Sequence, residues 1–234
     1  MPIASEQVKI QLNERESVTA VLYGASKGNR SNLTVILGHG AGANQLSGFM
    51  RLFAGGLAAR GLDTMTFNFL YTEQGRRSPD PKPRLESCYA AVIKTALEHK
   101  KLKRNRLVIG GKSMGGRIGS QVAANQASVN EWDGRLAGLV FLGYPLHPPG
   151  KPEQPRDKHL KDIHAPMLFV QGTRDAFGTP DELREVITRL RIPATLHVID
   201  GGDHSFKVPK SSGLSQEQVY ESVMDETVSW LRSR

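Results

Sequence analysis

Residues 110–117, GGKSMGGR, hold two residue types that could do chemistry, and they point to different machines. If Lys112 is the working residue, Gly111-Lys112-Ser113 is the tail of a phosphate-cradling loop. That loop needs G-x-x-x-x-G-K-[ST], which places its first glycine at position 106. Position 106 is Arg106, and the intervening LVIG is an apolar strand rather than a segment that could wrap a phosphate. If Ser113 is the working residue, residues 111–115 are G-x-S-x-G, the strand-to-helix elbow that exposes a nucleophilic hydroxyl. Its context fits, because RLVIGG reads as a strand running into the motif and GGRIGSQVAANQ as a helix leaving it. The glycines at 111 and 115 remove side chains that would collide in so tight a turn.

A serine hydroxyl needs a base, and the base needs a carboxylate to hold its tautomer. Asp175 follows the apolar run MLFVQG, and His204 follows LHVID, so the order is Ser, Asp, His with each residue at a strand end. His147, His159 and His164 precede Asp175 and so fall in the wrong chain order, and His197 sits inside a strand. Asp203 is read as a cap of its own turn, with Asp175 as the acid. An oxyanion hole is expected from the backbone N–H groups of Ala41, in LGHGAGAN, and of Met114, the residue after the nucleophile. His39 is read as a hydrogen-bonding residue at a strand end. For substrate binding the candidates are Arg76, Arg77 and His147. The two arginines either face the pocket mouth and bind a carboxylate or phosphate, or pack on the surface of a solvated loop. Lys112 is expected to point away from the pocket, and Arg117 to support helix packing.

Positioning such residues takes several elements. Strands are expected at VKIQL, VTAVLYG, LTVILGHG, LDTMTFNF, RLVIGG, LAGLVFLGYP, PMLFVQG and ATLHVID. Helices are expected over residues 46–60, 84–100, 115–126, 180–190 and 215–231. Repeated strand–helix alternation of this kind predicts an α/β chain, a mostly parallel sheet with helices on both faces, in a single domain spanning residues 1–234. Two segments, LYTEQGRRSPDPKP and YPLHPPGKPEQPRDKHLKDIHA, read as irregular. Both leave C-terminal strand ends, where open α/β sheets place ligands.

At 234 residues, with 38% hydrophobic and 23% charged residues, the chain can bury a substantial core. No apolar run approaches the ~20 residues that span a bilayer. MPIASEQVKIQL lacks the basic and apolar regions of a secretory signal, and Cys88 is the single cysteine, so a cytoplasmic location is expected. The net charge of +8 raises the question of nucleic acid. Its densest cluster, HKKLKRNR, follows an amphipathic segment and suits a solvated helix end, and no base-stacking motif accompanies it. Nucleic acid is therefore not expected as a partner, nor is a membrane. A homodimer or a protein partner stays open.

With GHGAGAN, FNFLYTEQGRRSPDP, GGKSMGGR and GYPLHPPGKPEQPRDKHL in view, the chain resembles α/β-hydrolase-fold proteins over essentially its whole length. It is similar in particular to the group uniting bacterial dienelactone-hydrolase-like proteins with the testis-expressed and nonspecific-lethal-complex subunit three proteins of animals. The second and fourth motifs are the distinctive ones. The resemblance implies a three-layer α/β-hydrolase fold with an eight-stranded sheet, its second strand antiparallel. It also implies a site on Ser113, Asp175 and His204 that uses no metal or organic cofactor. The segment from Tyr144 to Ile163 is too short for a large helical lid, so a minimal lid over an open pocket is expected. True dienelactone hydrolases use a cysteine nucleophile where this chain has Ser113. The expected activity is therefore that of a serine esterase or thioesterase on a small ester-like substrate, through an acyl-enzyme. Some animal relatives serve as complex subunits, which implies the alternative of a non-catalytic interaction protein that retains the elbow.

Overall fold

The first two strands, β1 (Ser5–Gln11) and β2 (Ser17–Tyr23), pair antiparallel across the polar NERES turn. Asn13 closes that turn, its Oδ1 accepting the N–H groups of Arg15 and Glu16 at 3.0 Å each. The computed structural model describes residues 5–25, 27–125, 132 and 134–233. Beyond the hairpin come β3 (Leu33–Gly38), β4 (Asp63–Phe67), β5 (Arg106–Lys112), β6 (Leu136–Leu142), β7 (Met167–Gly172) and β8 (Ala194–Ile199). They form one sheet of eight strands in the order β1-β2-β4-β3-β5-β6-β7-β8. The second strand runs antiparallel to both neighbours, and every later pairing is parallel.

The helices are α1 (Gly48–Ala59), α2 (Leu70–Glu73), α3 (Lys82–Glu98), α4 (Met114–Ala124), α5 (Pro180–Ile187) and α6 (Gln216–Arg232). Alternation along the central strands splits the core into two layers. Val35, Leu37 and Val108 pack with Met50, Phe53 and Leu57 of α1 and with Val219 and Val223 of α6. Ile36, Leu107 and Ile109 face the other way, onto Tyr89, Val92 and Ile93 of α3 and Ile118 and Val122 of α4. The last two helices begin with capping boxes, Thr179 with Glu182 and Ser215 with Gln218.

Each expected strand and each of the five expected helices forms, with bounds displaced by a few residues. Helix α3 starts two residues earlier than the periodicity suggests, because Pro81 takes the cap position and Pro83 fits the first turn. The C-terminal end of the helix expected over residues 115–126 reaches Gln126, which lies outside the described residues, as do the first four residues of the chain. One correction concerns LYTEQGRRSPDPKP, whose start is not irregular. Residues Leu70–Glu73 make one helical turn, and Tyr71 N–H donates to the buried carboxylate of Asp80 at 3.0 Å. By contrast, the Pro-rich segment 144–163 contains no helix longer than a three-residue 3₁₀ turn at Leu160–Asp162. Among the described residues, no helix is long and apolar enough to cross a membrane.

The strand order reverses beside β3. Helix α1 carries the chain from β3 to β4, and α3 carries it back to β5 on β3's other side and across the opposite face. A crevice opens at such a switch point, outside the carboxyl ends of the strands.

Candidate active site

Strand β5 delivers Ser113 into that crevice. The residue adopts φ 51° and ψ −116°, a strained conformation for a non-glycine residue. The surroundings fix it there. A side chain at Gly111 or Gly115 would overlap the backbone of Gly38 at the end of β3, so only glycine lets the turn and the two strands approach this closely. Tyr89, buried on α3, braces the approach, its Oη accepting the Gly110 N–H at 2.9 Å and lying 2.7 Å from the Gly110 carbonyl.

Three strand ends bring three side chains into one line. Ser113 Oγ lies 2.8 Å from His204 Nε2, and His204 Nδ1 lies 2.7 Å from Asp175 Oδ2. An ionised carboxylate only accepts, so the imidazole proton sits on Nδ1, and Nε2 is free to accept from the serine hydroxyl. Asp175 is 2% exposed, and all of its oxygen contacts serve to hold it. Phe177 N–H donates to Oδ1 at 2.8 Å, and Gln171 Nε2 donates to Oδ2 at 2.8 Å. Phe177 also lies against the His204 ring, with centroids 4.3 Å apart.

Ser113, His204 and Phe177 border a cavity of about 620 Å³. Ala41 and Met114, expected as oxyanion donors, both line it. Met114 is the first residue of α4, where backbone N–H groups have no intrahelical acceptor. At Gly40 an added side chain would touch Ser113 Cβ, so the loop after β3 lies directly beside the serine. His39 is buried under this loop, and burial lowers its pKa to about 4. Neutral, it donates from Nδ1 to the Gly40 carbonyl at 2.8 Å and accepts the Phe69 N–H on Nε2 at 3.3 Å.

The remaining expectations divide. Asp203 caps its own turn, accepting the N–H groups of Ser205 and Lys207 at 2.7 and 2.9 Å. His159 contacts Ser120 rather than Ser113. Arg76 and Arg77 do not line the cavity. Arg76 is held instead by Asp80 Oδ1, 2.6 Å away, and by Gln74, and Arg77 is exposed. His147 is also outside the lining. It is buried 3.2 Å from Glu182 Oε1, where it ties the Pro-rich loop to the start of α5. The expectation for Lys112 is overturned. It lines the cavity, and its Nζ donates to the His204 carbonyl at 2.6 Å, about 6 Å from the Phe49 and Phe206 rings. Burial lowers its pKa to about 8, against the pull of Asp175 and Asp203. Arg117 does lie on α4, but it lines the cavity together with Arg156 of the Pro-rich loop.

Sequence reading passed over Gln171, Tyr89, Phe177 and Arg156. Only Gln171 left a signal, a lone polar side chain in an otherwise apolar buried strand. Among the described residues, no group of three or more His, Cys, Asp or Glu side chains is disposed to hold a metal ion.

Comparison with known proteins agrees with this architecture. Residues 31–232 match the family described as "Alpha/beta hydrolase domain". Dienelactone hydrolase from Anabaena variabilis superposes with a TM-score of 0.74 at 17% identity, over 99% of this chain and 98% of that one. An alpha-beta serine hydrolase homologue from Coxiella burnetii gives 0.69 at 20% identity, over 97% and 95%. A Xanthomonas campestris protein described as a serine hydrolase without a lid gives 0.70 at 16% identity, over 97% and 95%. A sheet of this order, an elbow at the end of its fifth strand and a family match over most of the length lead to one assignment: the chain belongs to the α/β hydrolase family.

Proposed function

We propose that this protein is a serine hydrolase that cleaves a small ester or thioester through an acyl-enzyme. The observation that carries the reading is the continuous contact from Asp175 through His204 to Ser113, at 2.7 and 2.8 Å, with Ser113 and His204 lining a cavity of about 620 Å³. That volume suits a small-molecule ligand.

Ser113 Oγ attacks the substrate carbonyl as its proton passes to His204 Nε2. Asp175 keeps the imidazole oriented and stabilises its cation without taking the proton. Negative charge on the carbonyl oxygen is received by the N–H groups of Ala41 and Met114, worth about 3–4 kcal/mol for each well-placed donor. The tetrahedral intermediate collapses, and the leaving alkoxide or thiolate departs with the proton held by His204. Water then attacks the acyl-Ser113 carbonyl, giving its proton to His204. Collapse releases the acid and returns that proton to Ser113. The chemistry draws only on side chains and backbone of this chain.

The test is labelling with a fluorophosphonate probe, beside Ser113→Ala and His204→Ala. Native protein should label stoichiometrically and Ser113→Ala not at all, with His204→Ala slowed by several powers of ten. Folded native protein that stays unlabelled would remove the enzyme reading in favour of a non-catalytic binding role.

A further inference from the structure

Two guanidinium groups border the same cavity as Ser113, and the surrounding acids leave both of them unclaimed. Arg117 lies one helical turn beyond Ser113 on α4, its N–H donating to the Ser113 carbonyl at 3.1 Å. Helical side chains lean toward the N-terminus, which directs Arg117 back to the serine end of α4. Arg156 is presented by the Pro-rich loop, whose backbone is pinned on both sides. Its N–H donates to the Leu146 carbonyl at 2.7 Å, and its carbonyl accepts the buried Tyr144 hydroxyl at 2.8 Å.

Nearby carboxylates are already committed elsewhere. Asp80 is held by Arg76 at 2.6 Å, Asp157 by Arg189 at 2.9 Å, and Glu86 by Lys82 at 3.4 Å. Among the described residues, no side-chain acceptor or ion-pair partner reaches Arg117 or Arg156, and the Arg117 Nε is buried without any acceptor. Burial, and then the like charge of Arg156, lower the Arg117 pKa. Such an arrangement is costly, because two cations share a partly desolvated space and the acids beside them are paired with other bases. An oxyanion between them would remove both penalties and use the fork geometry of arginine.

We propose that the substrate is an anionic ester, its carboxylate or phosphate held by Arg117 and Arg156 while its scissile carbonyl lies on Ser113. The proposal rests on the serine-hydrolase reading and narrows its substrate class. Arg76, which a reading of the sequence alone offers for the same task, serves it indirectly. By pairing with Asp80, it neutralises the one carboxylate that lines the cavity among the described residues.

The experiment compares matched ester pairs on the intact protein. One pair carries the charge on the acyl side, p-nitrophenyl hemiglutarate against p-nitrophenyl pentanoate. The other carries it on the leaving group, p-nitrophenyl butyrate against its ring-carboxylated analogue. In one pair the anionic member should have a kcat/KM about tenfold higher or more, a preference set by charge-assisted hydrogen bonds. Arg156→Gln and Arg117→Lys should each bring that ratio toward parity, and Arg184→Gln, on the exposed side of α5, should preserve it. Competitive inhibition by glutarate or by inorganic phosphate tells which oxyanion the pair prefers. Hydrolysis of neutral and anionic esters at equal rates, with neither anion inhibiting, overturns the proposal and leaves the hydrolase reading intact. If no ester is cleaved at all, calorimetric titration of glutarate and phosphate into the native protein decides. Binding that disappears in Arg156→Gln supports the arginine site, and no binding overturns it.

Discussion

Lys112 Nζ grips the main-chain carbonyl of His204 at 2.6 Å, so the residue preceding the proposed nucleophile holds the backbone of its proposed base. The elbow and the loop after β8 are thereby joined by a bond between residues 92 apart in the sequence. A charged donor to a carbonyl is a strong bond, but the ammonium is also stripped of water to form it.

Lys112→Met should therefore change stability by no more than about 1 kcal/mol, since relief of desolvation offsets the lost hydrogen bond. Its kcat should fall by about tenfold with KM little altered, because the imidazole loses its backbone anchor rather than the substrate losing a contact. Urea titration and steady-state kinetics separate the two effects. The native protein carries a further mark of this lysine. Its pKa is about 8 when folded against 10.5 ordinarily, so between those values the unfolded chain binds more protons and stability rises with pH. Unfolding measured from pH 7.5 to 10 should show that rise in the native protein and a smaller one in Lys112→Met.

Gln171 is the next place where orientation can be tested. It donates to Asp175 Oδ2 and to the Gly178 carbonyl, and its Oε1 accepts the Tyr144 N–H. Gln171→Leu keeps the volume roughly but strands the Tyr144 N–H and the Gly178 carbonyl in a dry interior and removes one of the donors that hold Asp175. A loss of about 2–4 kcal/mol is expected from the unpaired groups. Activity at low denaturant should fall through kcat, with Asp175 now free to turn away from His204. Gln171→Glu should be worse still, placing a second carboxylate against Asp175.

The contrast between Gln171 and Lys112 shows what a sequence can and cannot reveal. Strand runs, glycine turns and the Ser–Asp–His order were legible because each follows from local pattern or from chain order at strand ends. The count of eight strands and the antiparallel second strand came from resemblance, and the strand order only from the fold, since no local pattern specifies which strands become neighbours. Side-chain direction was not legible. Lys112 meets the loops after β6 and β8, and Arg76 turns to Asp80 within its own loop, and such loops carry few periodic constraints. Arg117 shows the same limit from the other side. Helical spacing put it on α4, but only the fold of residues 144–163 shows that Arg156 meets it across a cavity.

Packing at the elbow supports a sharper prediction. Gly115→Ala places a methyl group into the Gly38 carbonyl, which is main chain in the centre of the sheet and cannot step aside. Overpacking of this kind costs about 3 kcal/mol or more, which corresponds to a Tm lower by roughly 6–12 °C for a chain of this size. Differential scanning calorimetry measures it. Gly42→Ala, where no atom lies within 4 Å of the added methyl, should cost much less and only through its φ of 75°.

His39 links the proposed oxyanion loop to acid stability, and the two effects can be read from one variant. Its Nδ1–H holds the Gly40 carbonyl at 2.8 Å, and across a trans peptide the Ala41 N–H must point the opposite way. A loosened Gly40–Ala41 peptide would leave the proposed donor poorly aimed, so His39→Gln should lower kcat by tenfold or more while KM moves little. The same ring accepts the Phe69 N–H on Nε2, and protonation would turn that acceptor into a donor facing a donor. Its pKa is about 4 when folded against 6.5 ordinarily, so the unfolded chain takes up a proton first as pH falls. Stability supplied by the neutral ring is complete above pH 6.5 and is lost progressively toward pH 4, on the order of 3 kcal/mol at the limit. His159, also shifted to about 4 by burial, contributes over the same window. Urea midpoints at pH 7, 5.5 and 4.5 should therefore fall steeply in the native protein and less steeply in His39→Gln. An equal slope in both would move the acid sensitivity to His159 and to His197, whose pKa burial also lowers, and the corresponding measurements on His159→Gln and His197→Gln would then carry the difference.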